Sequence, residues 1–207
     1  MKPTLLLALL TLLVANGLRA QDDETLANTF DLDFSGAWGG WNFQLTELGD
    51  QNAVMQGGFG GIEFNKTIFL GWGAYKLQDR VELATLADDT ERTGQIDFRY
   101  NGPMIRYTPR ARSVVHPMFG LQAGFGKIDL DYDDDSLQDP GTDKVVILQP
   151  TVGGELNVTR WCRLGAELGY RYALNTELPQ VDDGFANGLY GAATLRFGFS
   201  WGSGVGD

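Results

Sequence analysis

The sequence predicts an all-β fold, an eight-stranded antiparallel up-and-down transmembrane β-barrel. Three observations point there. Eight segments alternate apolar and polar residues, and most reach or exceed the roughly 9–11 residues of a membrane-crossing strand, whereas ordinary globular strands cluster near about 5–6. The connections alternate between short turns and long polar loops. Many glycines share the charged face of the strands, as a narrow interior requires when small residues must sit beside large ones.

Taken in order, Met1 to Ala20 (MKPTLLLALLTLLVANGLRA) carries a Lys, an apolar run from Leu5 to Ala15 and a small residue at Ala20. It reads as a secretory signal, too short and wrongly flanked for a membrane helix. Residues 21–33 form an acidic extension, and no later apolar run approaches the ~20 residues a spanning helix needs. The barrel is expected over residues 34–201, followed by a short tail, 202–207.

The strands are expected at Phe34–Thr46, Ala53–Phe64, Thr67–Leu77, Gln95–Tyr107, Val114–Ile128, Lys144–Asn157, Cys162–Tyr172 and Leu189–Trp201. Asn65-Lys66 marks a tight turn, and Thr108–Ser113 and Val158–Trp161 are short connections. Long polar loops are expected at Glu47–Asn52, Gln78–Gly94, Asp129–Asp143 and Ala173–Gly188. Of the 27 acids, 17 fall in those four loops, so the loop end is acidic. The turn end is basic, with Lys66, Arg106, Arg110, Arg112, Arg160 and Arg163.

The segment LNVTRWCRLGAELGYRY decides the strand reading. Arg163, Glu167 and Arg171 are spaced four apart and on a helix would form a ladder of charge pairs. Gly165 and Gly169 would each cost about 1 kcal/mol there, and alternation by two accounts for every position from 163 to 172.

Phase then separates two faces. Ile62 and Phe64; Ile68, Leu70, Trp72 and Ala74; Ile96, Phe98 and Tyr100; Phe119, Leu121, Ala123 and Phe125 form the apolar face, continued by Val146, Leu148, Val152, Leu156, Leu164, Ala166, Leu168, Leu189, Ala193, Leu195, Phe197 and Phe199. Alternation alone does not say which face turns inward. Strand length, polarised loops and glycine placement put the apolar face on lipid and the ionic face in the lumen. The lumen network is then Glu63, Asp97, Glu155 and Glu167 opposite Arg99, Arg163, Arg171 and Arg196, four acids against four cations, because unpaired confined charge is costly. An eight-stranded barrel is only wide enough for side chains to fill. Trp38, Trp41, Phe69, Tyr107, Trp161 and Trp201 are expected to form an interfacial girdle at the turn end.

GGFGGIEFNKTIFLGWGAY (Gly57–Tyr75) and the last strand, GLYGAATLRFGFSW, resemble the small eight-stranded outer-membrane barrels built like the OmpA membrane domain and its OmpX-like relatives. The resemblance covers roughly Phe34 to Trp201. It implies an outer-membrane location, contact with outer-membrane lipid, and recognition of the C-terminal strand by the barrel-assembly machinery. The chain departs from the family's terminal aromatic by six further residues, GSGVGD.

Other constellations weigh little. Asp129, Asp131 and Asp133 echo a calcium loop, yet Asp134 stands where glycine is required and Pro140 where the bidentate Glu belongs. A solvated repelling loop is the reading, with weak divalent-ion capture as the alternative. His116, the one histidine, has no nucleophile beside it and reads as a structural or rim residue, and no nucleophile elbow or phosphate loop occurs. No catalytic residue and no cofactor are expected. A lone Cys162 excludes an internal disulfide, and a net charge of −11 argues against nucleic acid and against anionic lipid as electrostatic partners. The expected role is non-catalytic, structural or surface-interacting, with an unknown extracellular partner. A soluble, exported lipocalin-like ligand binder and a narrow solute channel are the alternatives.

Overall fold

The computed structural model describes residues 32–49, 51–79, 81–87, 90–132, 142–174 and 184–201, and the side chains of all but 81–87, 90–94, 130–132 and 142–143 among them. The expected signal segment, most of the acidic extension, the tail and the centres of the expected loops Asp129–Asp143 and Ala173–Gly188 lie outside these residues. The barrel lies within the unit that begins at Phe34.

The strands are β1 (Phe34–Leu48), β2 (Gln51–Phe64), β3 (Ile68–Leu77), β4 (Val81–Ala87), β5 (Thr90–Tyr107), β6 (Val115–Tyr132), β7 (Thr142–Thr159), β8 (Cys162–Leu174) and β9 (Gly188–Ser200). All pairings are antiparallel in the order β3-β2-β1-β9-β8-β7-β6-β5-β4, and β3 also pairs with β5, which closes the sheet. β3 and β4 lie end to end along β5, Lys76 opposite Arg99 and Val81 opposite Ile96. Together they fill one of eight barrel positions.

Two expected loops are therefore corrected. Gln78–Gly94 is mostly a hairpin, because β4 and the start of β5 extend the sheet past the barrel. Glu47–Asn52 is a tight connection: β1 ends at Leu48 and β2 starts at Gln51, with Gly49 at φ +56°. At the other end Asn65 and Lys66 take φ 50° and 60° and Thr67 N donates to the Phe64 carbonyl at 3.0 Å. Positive φ at both central residues is the hairpin geometry whose twist matches the strands.

Register fixes the tilt. From Tyr107, successive partners are Phe119, Val152, Leu168, Gly191, Leu45 and Val54, and the Val54 carbonyl accepts from Gln78 N. Tyr107 is itself paired with Ile68, so one circuit climbs from 68 to 78. Such a stagger in eight strands requires a tilt of about 40°. On β7 the outward positions from Leu156 to Val146 then span about 25 Å, the height of an apolar lipid-facing band.

Inward side chains form two layers. Toward the loop end lies an apolar cluster including Leu48, Met55, Leu77, Ile96, Phe98 and Ile147, all buried. Toward the turn end lie charged groups among Trp38, Phe59, Phe69 and Met104. Between them a cavity of about 10 Å³ borders Gln44, Tyr75, Arg106, Gln122 and Glu167, room for about one water molecule.

The inward glycines have a steric reason. A Cβ on Gly71 would stand 2.6 Å from the Phe69 ring, one on Gly198 2.6 Å from Trp38, and one on Gly40 2.7 Å from Phe59. Each large ring lies across a glycine, which is how a lumen this narrow seats aromatics. Gly71→Val is expected to destabilise the barrel by roughly 1–3 kcal/mol through overpacking, read as a lowered urea midpoint in lipid vesicles. An unchanged midpoint would mean that both the Phe69 ring and the Gly60 carbonyl oxygen, which also stands 2.6 Å from that Cβ, give way freely.

Candidate functional site

The described charged groups that converge sit in the turn-end half of the lumen, and barrel closure brings them together from strands remote in sequence. Glu155 on β7 is at the centre. Arg196 Nη1 on β9 donates to its Oε1 at 2.5 Å, and His116 Nε2 on β6 stands 3.4 Å from its Oε2. The Ser113 carbonyl can only accept, so the His116 Nδ1 at 3.0 Å donates to it. Arg163 on β8 lies 4.0 Å from Glu155 and donates to Glu63 Oε2 at 3.1 Å, while Ser200 Oγ donates to Glu63 Oε1 at 2.6 Å. Arg106 on β5 grips Glu167 through two nitrogens, at 2.7 and 3.3 Å, and Thr194 Oγ1 donates to the same carboxylate at 2.6 Å.

Aromatic faces complete the cations' surroundings. Arg163 lies over Trp38 at 4.0 Å and Arg106 over Phe59 at 4.7 Å. Arg196 is flanked by Phe69 at 5.0 Å and Trp38 at 5.5 Å. Its Nε and Nη2 have no hydrogen-bond partner among the described residues, and the negative ring faces partly compensate.

The expected network is thus redrawn. Glu63, Glu155, Arg163, Glu167 and Arg196 lie inside, each with a charged partner. Arg171 is also inside but has no carboxylate partner among the described residues. Its Nε donates to the Ala186 carbonyl at 2.7 Å, and Nη2 to Thr46 Oγ1 at 3.1 Å and the Glu47 carbonyl at 3.2 Å. It ties the segment before β9 to the end of β1.

Asp97 and Arg99 are on the outer face. Asp97 pairs with Lys76 at 3.1 Å and Arg99 with Asp129 at 3.3 Å. The expected face for Ile96, Phe98 and Tyr100 is accordingly reversed: all three are buried in the lumen. Register along β5 and β6 is unbroken from Gly94 to Asn101 and keeps the same offset from Met104 to Tyr107, so the strand holds one phase while its hydrophobic pattern changes phase at Gly102-Pro103. The cause is the two-layered lumen, apolar toward the loops and ionic toward the turns.

Arg106 and His116 are network members that the expected set lacked. The signal for Arg106 was present: Pro103, Ile105 and Tyr107 alternate with it in the lower half of β5. Nothing local indicates the inward placement of His116.

The girdle divides likewise. Tyr107, Trp161 and Trp201 are half exposed at the turn end, where Trp201 meets Phe34 at 5.1 Å and Trp161 stacks on Phe197 at 6.0 Å. Trp41 points outward, but opposite Gly58 and Leu195 in mid-strand. Trp38 and Phe69 point inward and are 3% and 1% exposed, because they share the parity of Asn42 and Tyr75, not of the lipid face. For the acidic triplet, the Asp129 carboxylate is held by Arg99, whereas the Asp131 side chain and all of Asp133 lie outside the described set. Among the described residues no group of three or more acidic, His or Cys side chains could hold a metal ion.

A closed barrel with buried ion pairs in the turn-end half of its lumen and an outer face bearing Leu45, Leu168 and Phe125 at 67–71% exposure presents outward the apolar surface that a soluble barrel would bury. The family described as Outer membrane protein beta-barrel domain matches residues 6–202. The chain belongs to that family. No curated protein matches it with significance. Solved outer-membrane barrels share its fold at low identity. The N-terminal β-barrel domain of Pseudomonas aeruginosa OprF superposes with a TM-score of 0.56 at 13% identity, covering 79% of this chain and 97% of that one. Neisserial surface protein A gives 0.53 at 16%, covering 80% and 97%. OprG from Pseudomonas aeruginosa gives 0.52 at 9%, covering 83% and 98%. This outer-membrane β-barrel protein accordingly resides in the outer membrane, crossing it with strands.

Proposed function

We propose that this outer-membrane barrel is a non-catalytic protein that stabilises the membrane and offers acidic loops to partners outside the cell, with a sealed lumen. The single observation that carries the reading is the filled interior, whose space between the ionic and apolar layers holds about one water. Sealing argues against both alternatives. A lipocalin-like binder needs an apolar internal cavity for its ligand, and a channel needs a continuous wet path.

His116, the residue through which an acyl-transfer or deacylase chemistry would have to run, is 2% exposed and held by Ser113 and Glu155. The reading is tested in planar bilayers, where the purified barrel is expected to give no discrete single-channel steps. Regular conductance steps that persist across preparations would replace it with the channel reading. His116→Ala is expected to leave the lipid A profile of the host membrane unchanged, and an altered acylation pattern would restore an enzymatic role.

A further inference from the structure

The short turns build a basic bowl at the mouth of the lumen. It measures about 390 Å³, within the range of small-molecule sites. Arg112 on the β5–β6 connection and Arg160 on the β7–β8 connection stand at its rim with Lys66 of the β2–β3 turn, and Arg163 and Ser200 form its floor. Among the described residues no acidic side chain lines it. Glu63, beneath the floor, is already held by Arg163 and Ser200. Arg112 and Arg160 are exposed, and their guanidinium groups have no ion pair or hydrogen bond among the described residues.

The turns that carry these two arginines are fastened to one another. Asn157 Nδ2 donates to the Ala111 carbonyl at 2.8 Å and to the Ser113 carbonyl at 2.7 Å, the residues on either side of Arg112. Asn157 N donates to the Val114 carbonyl at 2.8 Å, and Thr108 N to the Thr67 carbonyl at 2.7 Å. Beside Arg160, Trp161 N donates to Thr159 Oγ1 at 3.2 Å. Both cations therefore ride on backbone that is fixed before anything binds, which lowers the ordering cost of binding. Two like charges held over one bowl repel, and an anion between them relieves that repulsion. The chain as a whole is acidic, at −11, so such an anion is recognised locally.

We propose that this bowl binds a dicarboxylate, either a free solute or a pair of neighbouring acidic groups on a short peptide. One carboxylate lies in the fork of Arg112 and the other in that of Arg160, each through two parallel N–H···O bonds, the geometry for which a guanidinium is built. Two forks on separate turns suit two linked carboxylates better than one compact oxyanion. Tyr107, Trp161 and Trp201, half exposed on the outer face at this level, do not line the bowl. It opens along the barrel axis and not toward lipid, so acyl chains have no path into it. The site rests on the turn-end geometry alone and stands whether or not the barrel conducts.

The test uses the full barrel in nanodiscs of zwitterionic lipid, titrated with glutarate, with an acetylated Asp-Glu dipeptide and with inorganic phosphate, and followed by NMR of backbone amides and arginine Nε–Hε groups. A dicarboxylate is expected to give saturable shifts at Arg112, Thr159 and Arg160 in the millimolar range or tighter, and the tighter of the two probes assigns the source. Arg112→Gln and Arg160→Gln should each weaken binding roughly tenfold, the loss of one charge-assisted contact in a wet site, and the double variant should abolish it. Arg110→Gln removes an exposed cation from the same connection that does not line the bowl, and should leave binding unchanged. Heat-modifiable gel migration confirms that each variant is folded. Absence of saturable shifts, or undiminished binding by the folded double variant, overturns the proposal. Phosphate binding as tight as that of the dicarboxylates, or an equal loss with Arg110→Gln, also overturns it by making the turn end a general cationic surface.

Discussion

Glu155→Gln is expected to lower the unfolding free energy of the reconstituted barrel by about 3–5 kcal/mol, the range for breaking a buried ion pair from one side. The carboxylate is fully buried and faces Arg196 at 2.5 Å, Arg163 at 4.0 Å and His116 at 3.4 Å. Without its charge Arg196, itself 1% exposed, keeps no anion within salt-bridge distance among the described residues. Two of its nitrogens already lack hydrogen-bond partners among the described residues, so nothing nearby takes over. Reversible urea unfolding in lipid vesicles measures the loss, and a change under about 1 kcal/mol, the scale of an exposed pair, would show that water reaches this half of the lumen. Glu155→Leu combined with Arg196→Leu should recover much of the loss, since removing both charges leaves neither stranded.

The second large effect lies on the opposite face of the neighbouring strand. Leu168→Arg is expected to destabilise the barrel by about 2–4 kcal/mol, and Tyr172→Arg by only about 0–1 kcal/mol, because the penalty for a cation on the lipid face falls from the bilayer midplane to the interface. Leu168 is 67% exposed and central on the outward face of β8, between Leu164 and Tyr172. The same unfolding assay reads both variants. Equal small effects at 168 and 172 would mean that this face meets water and would overturn the orientation of every strand. A spin label at 168 but not at 167 should likewise report contact with lipid.

How far each strand was legible depended on whether one environment ran along its whole face. β6 and β7 keep apolar residues outward from the turn end up to Phe125 and Val146, so phase reads the same at any window. β5 does not. Its upper half places Ile96, Phe98 and Tyr100 against an apolar lumen, while Asp97 and Arg99 stand above the lipid band among other ions. A window centred there reads inside as outside. The lower half, with Ile105 and Tyr107 outward and Arg106 inward, reads correctly, and strand continuity would have settled the matter because the alternation of Cβ directions cannot reverse without a bulge. Trp38 and Phe69 lie inside and not in the girdle for a related reason: position along a strand gives depth, and only parity gives the face.

Gln78–Gly94 is rich in acids, which local composition associates with coil, yet most of it forms β4 and the start of β5. Pairing of β4 with the first half of β5 overrides that preference, since a hairpin continuing an existing sheet has its register and twist supplied by the strands below it.

By itself the amino-acid order determined the number of barrel positions, the tight turn at Asn65-Lys66 and the existence of two chemically distinct faces, because period-two alternation and turn chemistry are local properties. Only the tertiary structure decided which ions meet. Glu155 and Arg196 are 41 residues apart, Arg106 and Glu167 61, and Glu63 and Arg163 100. Their contacts arise from the stagger of a closed, tilted barrel, which brings inward side chains of distant strands to one depth, and no local pattern along the chain encodes that depth.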